Sequence, residues 1–239
     1  MNNENQPRVQ SRYITPEDVE REQAAFMAQV YGWMSIALLI TAVVSIFTAS
    51  SEAMLSLIFG NRYVFYGLLI GELLMVIGLS SRINRMSALT ATALFIAYSA
   101  INGLTMACIF LIYTGTSIAS TFFITALTFG AMSVYGYFTK TDLTRMGSLL
   151  MMGVVGLIIA SVVNLFLQNG VVSWITSFFG VLIFTGLTAY DTQKIKEMNA
   201  VGNTDAESDR KGAIMGALRL YLDFVNLFLY MLRFFGGRK

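Results

Sequence analysis

Two aspartates stand where hydrocarbon is expected: Asp191 in LIFTGLTAYDTQKIK and Asp223 in GALRLYLDFVNLFLYML. A carboxylate inside a bilayer is costly unless it is protonated, paired or wetted, so an intramembrane acid points to function. Two of them on consecutive segments narrow the chemistry to ion passage, proton handling or aspartyl catalysis. A third acid, Glu72, lies mid-span in GLLIGELLMVIGLSSR. Around Asp223, the polar and small residues Gly212, Gly216, Arg219, Asp223, Asn226, Tyr230, Arg233 and Gly237 are spaced alternately by four and three. That is a period of about 3.5, so they share one helical face, which should point into a bundle or a wet cavity.

The simpler structural readings of the same residues stay open. Arg219 precedes Asp223 by one turn and can form a structural ion pair with it at i, i+4. Asp191 can be an interfacial acid paired with Lys194. Glu72 can be a protonated, hydrogen-bonded side chain. Thr121, Thr125 and Thr128 share a face and suit interhelical hydrogen bonds better than ligation. Gly67-x-x-x-Gly71 and Gly212-x-x-x-Gly216 suggest close helix packing.

The elements that must hold these residues are membrane helices. The chain is 56% hydrophobic and only 13% charged, outside the soluble average on both counts. No charged residue lies between Glu22 and Glu52, between Arg85 and Lys140, or between Arg145 and Asp191. At about 20 apolar residues per span, the first gap holds one helix and the others two each. The expected architecture is an all-α polytopic bundle with spans near 29–51, 63–81, 87–112, 118–139, 146–168, 172–193 and 213–235. Residues 1–25 are expected to form a polar tail with a short amphipathic helix, and residues 26–239 the seven-helix domain. Thr15-Pro16-Glu17-Asp18 has the order of a helix start.

Lys and Arg in the short loops give the orientation. With a cytoplasmic N-terminus, six crossings obey the rule through Arg82, Arg85, Lys140, Arg145, Lys194 and Lys196. The basic end, with Arg233, Arg238 and Lys239, conflicts with a seventh crossing, so a re-entrant last segment is an alternative.

Other chemistries drop out. There is no histidine and one cysteine, Cys108, so a serine triad, a Cys-based metal site and an intrachain disulfide are excluded. No phosphate loop or dinucleotide fingerprint is present, and no basic cluster suggests nucleic acid. Intramembrane aspartyl proteases also use two aspartates, and Tyr190-Asp191 fits their first motif. Asp223 follows Leu222 instead of a Gly-x-Gly, and both prolines, Pro7 and Pro16, lie in the tail. No enzyme and no cofactor are therefore expected.

TGLTAYDTQKIK at 185–196 and LYLDFVNLFLYMLRFFG at 220–236 resemble motifs of the transmembrane Bax-inhibitor-motif proteins, in their bacterial branch. VYGWMSIALLITA at 30–42 and AINGLTMACIF at 100–110 are similar to that family's first and third spans. The resemblance implies seven helices with the last one central, in a bacterial inner membrane. It also implies a pH-sensitive calcium leak gated by a proton-sharing aspartate pair, here Asp191 and Asp223. The gating arginine would fall on Arg85 or Arg82, and a latch on Glu72 and Arg233. Arg219 is an added cation that departs from the pattern. Calcium and protons would be the passing ions and the bilayer the partner of a monomer, with membrane-protein partners possible. The competing reading is a non-conducting membrane adaptor that regulates other membrane proteins by contact.

Overall fold

The computed structural model describes residues 15–198 and 206–239. Among them, seven helices are long and apolar enough to cross a membrane, and no strand is present. Residues 1–14 of the expected tail and the segment 199–205 lie outside the described residues.

Helix α1 (Pro16–Ala49) starts as expected. Thr15 accepts from the Asp18 amide, Asp18 reaches back to the Thr15 amide, and Pro16 occupies the first turn. Among the described residues no separate amphipathic helix precedes the span. Neither glycine nor proline occurs from Glu17 to Tyr31, so nothing breaks the helix, and it runs for 34 residues. At ~1.5 Å per residue this exceeds a ~30 Å hydrocarbon core by several turns.

The short α2 (Glu52–Phe59) leads to α3 (Arg62–Arg82), and Ser51 and Asn61 cap their starts. A 3-10 turn (Ile83–Arg85) precedes α4 (Ala88–Met106), and Ala107 separates α4 from the one-turn α5 (Cys108–Ile112). Then follow α6 (Gly115–Phe138), α7 (Thr144–Leu167), α8 (Gly170–Met198) and α9 (Ala206–Phe235). The seven spans are α1, α3, α4 with α5, α6, α7, α8 and α9.

Burial separates these helices. In α9, 67% of the most apolar window is buried, against 6% in both α3 and α7. Helix α9 packs on α8, α1, α6 and α4, whereas α3 leans mainly on α4. The exposed Leu, Ile, Val and Phe side chains of α3 and α7 are the surface a bilayer would cover.

The end of α9 is fixed against the α5–α6 junction. Thr114 N donates to Gly237 O, Gly237 N to Ser117 Oγ, and Lys239 N to Ile112 O. At its start, Glu207 accepts from Ala88 N at 2.6 Å, beside the α3–α4 turn. The two ends of α9 therefore lie on opposite faces of the bundle, and the helix runs through it from one face to the other. The basic terminus has a local use: Lys239 Nζ donates to Phe110 O at 2.7 Å, satisfying a carbonyl near the end of α5.

Candidate ion site

Three glycines seat the helix that carries Asp191. A Cβ on Gly136 of α6 would collide with the Ala189 backbone, and one on Gly147 of α7 with the Tyr190 ring. On α8 itself, a Cβ at Gly180 would meet the Tyr230 ring of α9. Gly216 of α9 lies close against Ile195 and Val30. Helices α6 and α7 thus approach α8 closely at Ala189 and Tyr190, next to Asp191, and α9 approaches it at Gly180 and Ile195. The other glycine pair behaves differently. Nothing stands within 4 Å of a Cβ on Gly67 or Gly71, so that spacing marks no packing seam in this chain.

From this scaffold the Asp191 and Asp223 carboxyl groups come within side-chain hydrogen-bonding reach of each other. Two carboxylates are both acceptors, so a hydrogen bond between them would need a shared proton. Asp223 is 4% exposed, and no donor among the described residues reaches its Oδ2. Arg219 Nη1 lies 4.0 Å from Asp191 Oδ1, across the α8–α9 interface. The pair borders a cavity of about 740 Å³. Glu72 and Val76 of α3, Tyr98 of α4, Leu157 of α7 and Tyr190 of α8 also line it. The α9 stripe contributes Arg219, Asp223, Asn226 and Tyr230, so the face read from spacing points into this cavity. Asn226 Nδ2 is committed to Leu222 O on its own helix.

Several expected partnerships do not form. Among the described residues Arg219 forms its ion pair with Asp191, not with Asp223 one turn along. Lys194 turns from Asp191 to Glu197, at 2.7 Å, and to Asp142, at 3.9 Å. Arg82 and Arg85 are both exposed beside the α3–α4 turn and line no part of the cavity. The arginine at the aspartates is Arg219, because α9 carries it into the cavity whereas that turn leaves Arg82 and Arg85 exposed outside the cavity lining.

The Glu72–Arg233 latch is also absent. Thr105 Oγ1 donates to Glu72 Oε1 at 2.7 Å and Asn102 Nδ2 to Oε2 at 3.1 Å. Arg233 is exposed and stacks over the Tyr230 ring. Buried in α3, Glu72 finds α4 donors at its own depth. Arg233 sits two residues from the end of α9, where it can reach the bundle surface.

Sequence reasoning missed the rest of this network. Tyr221 Oη donates to Asn102 Oδ1 at 2.9 Å and meets Thr41 Oγ1 at 2.6 Å. The relay Thr41–Tyr221–Asn102–Glu72 ties α1, α9, α4 and α3 together. Asn102 was the available signal, an amide in a span with no charged residue. Gln193 was another: it accepts from Leu143 N and donates to Thr141 O, clamping the α6–α7 loop to α8.

A helical bundle with an acid pair buried at a cavity wall defines a polytopic integral membrane protein built around intramembrane carboxyls. Residues 23–239 match the model of the family described as Inhibitor of apoptosis-promoting Bax1, and the chain belongs to that family. It is 51% identical over 215 residues to the inner membrane protein YbhL of Escherichia coli strain K12, covering 90% of this chain and 92% of that protein. A protein of Borreliella burgdorferi is 49% identical over 214 residues, 90% of this chain and 92% of its own. A membrane protein of Streptococcus pyogenes serotype M1 is 35% identical over 224 residues, covering 93% and 96%.

Proposed function

We propose that this chain is a pH-sensitive calcium leak of a bacterial inner membrane, its N-terminus cytoplasmic, with Asp191 and Asp223 as ion path and proton switch. The observation that carries the reading is the adjacent carboxyl pair at the wall of a cavity that also holds Glu72 and Arg219. Two carboxyls in contact titrate as one unit, so a proton enters or leaves the pair as a whole. With the shared proton the pair carries one negative charge, which Arg219 partly balances. Without it, two charges face each other and the same oxygens suit a hard divalent cation. Among the described residues no third acid joins them in a cluster fit for a metal. Such a site holds calcium briefly, as a leak requires and a buffer does not. Arg219 takes the bridging part that the family resemblance gave to Arg82 or Arg85.

Purified protein in calcium-loaded vesicles, with flux recorded across a pH series, tests this. The expected result is protein-dependent calcium flux whose pH dependence flattens in Asp191→Asn and Asp223→Asn. A folded protein giving no flux at any pH would overturn the leak and favour the contact-dependent adaptor.

A further inference from the structure

A second cavity lies on the opposite side of α9 from the aspartates. Its volume is about 400 Å³, and its walls are formed by α1, α4 with α5, α6 and α9. Phe110, Phe122, Phe224 and Phe228 supply aromatic walls, and almost nothing polar faces it. A cavity of ~150 Å³ already holds benzene, so this one has room for a longer apolar ligand.

One polar atom in the lining is unexplained. Ser45 is 3% exposed, and its hydroxyl has no partner among the described residues. In α1 Thr41 bonds back to Ala37 O at 2.9 Å and, at its C-cap, Ser50 to Ile46 O at 2.8 Å, whereas the hydroxyls of Ser45 and Thr48 have no partner among the described residues; of these two, Ser45 lines the cavity. A buried, unpaired hydroxyl is costly, so the Ser45 hydroxyl awaits a polar partner. Two walls of the cavity open outward, since Leu39 is 66% and Phe122 43% exposed on the surface a bilayer covers.

We infer that this cavity takes one acyl chain of a membrane phospholipid, with its ester carbonyl accepting from Ser45. Depth decides the occupant. Ser45 lies four residues before the end of α1, or ~6 Å below it, where a phospholipid ester sits at the edge of the hydrocarbon. From there the lining follows α1 back to Ser35, ten residues or ~15 Å towards the bilayer middle. A chain entering at Ser45 with its tail towards Ser35 matches both the polarity and the direction of the cavity. The inference stands on residues other than the aspartate pair and is independent of calcium movement.

The test uses the full chain in phosphatidylcholine vesicles containing a little phosphatidylcholine with a diazirine near the end of one acyl chain. Photolysis should label peptides around Ser35–Leu39 and Phe122 several-fold more than the lipid-facing helix α7. Ala42→Trp, which fills the cavity from its exposed side, should remove that excess. Ser35→Trp, which fills the tail end of the cavity, provides a second blocking variant should Ala42→Trp not fold. Moving the diazirine next to the ester should shift labelling towards Ser45. Equal labelling of α7 and the cavity, or labelling unchanged in a folded blocking variant, overturns the inference. Loss of labelling on adding a small excess of free oleate would assign the cavity to a free fatty acid and overturn the phospholipid assignment.

Discussion

Arg219 on α9 is paired with Asp191 on α8, 4.0 Å away, although Asp223 lies one turn along its own helix. The cation thus bridges two helices instead of stapling one. Its side chain is 41% exposed, so the pair is worth little as a stabiliser and more as a tuner of the cavity's field.

Replacing Arg219 with Gln should therefore leave folding almost unchanged and raise calcium flux. An ion pair this exposed contributes about 0.2–1 kcal/mol, an effect of up to about fivefold on cation occupancy. Vesicle flux at fixed pH and a thermal melt check both parts. A fall in flux, or a large drop in Tm, would mean that Arg219 is a structural prop.

Glu72 offers the opposite balance. It is buried, and both its oxygens accept from α4 side chains. Glu72→Gln keeps one acceptor but turns an amide NH2 towards the Asn102 or Thr105 donor. Leaving a buried donor unsatisfied costs about 1–3 kcal/mol. Since α3 has little other burial, the loss should loosen this helix first, read as faster amide exchange in Leu69–Val76. Asn102→Asp in the same chain gives the Gln amide an acceptor and should recover much of the stability.

Much of this was legible because a bilayer leaves few options: long uncharged runs, turn residues at their ends, and a four-three polar stripe. The stripe located the cavity wall, because α9 is regular and spacing alone fixes its faces. Which charge meets which was not legible. The Arg219–Asp191 pair depends on how α8 is rotated against α9, and that rotation is set by Gly136, Gly147 and Gly180 lying against Ala189, Tyr190 and Tyr230. The latch failed for a similar reason: no spacing within α3 or α9 shows that Asn102 and Thr105 come to the depth of Glu72. Gly67 and Gly71 repeat at the right interval and meet nothing, since a small-residue motif cannot show whether a neighbour is present.

The glycine seat itself can be tested. Gly147→Ala places a methyl in the Tyr190 ring next to Asp191, and overpacking of this kind costs about 1–3 kcal/mol. Tyr190→Leu should relieve the clash. The single variant should lower Tm and disturb the pH dependence of flux, and the double variant should regain stability. An unchanged melt in Gly147→Ala would show that Tyr190 has room to move aside.

The C-terminus should lie across the membrane from the α6–α7 loop, because Gly237 and Lys239 bond to the α5–α6 junction. In a Cys108→Ser background, Arg238→Cys and Lys140→Cys should react with a membrane-impermeant maleimide from opposite sides of oriented vesicles. Labelling of both from one side would restore the re-entrant last segment.

The aspartates separate conduction from structure. Asp223→Asn keeps the size of the side chain and can still hydrogen-bond to Asp191, but it removes the shared proton. Arg219 keeps its partner in that variant, because the ion pair is with Asp191. Asp223→Asn should consequently fold, with a Tm close to that of the parent, and lose most of its pH dependence of calcium flux. Asp191→Asn should flatten the same response, and it also frees Arg219. With that side chain 41% exposed, water can take over, so the added cost stays near the ~0–1 kcal/mol of a surface pair and well below the ~3–5 kcal/mol of a stranded buried charge. Flux across pH and thermal melts on both variants and on Asp191→Asn combined with Arg219→Gln read the difference. If Asp223→Asn melts far below the parent and Arg219→Gln restores it while the pH response persists, the carboxyl at 223 is a structural counter-charge and the proton switch lies elsewhere.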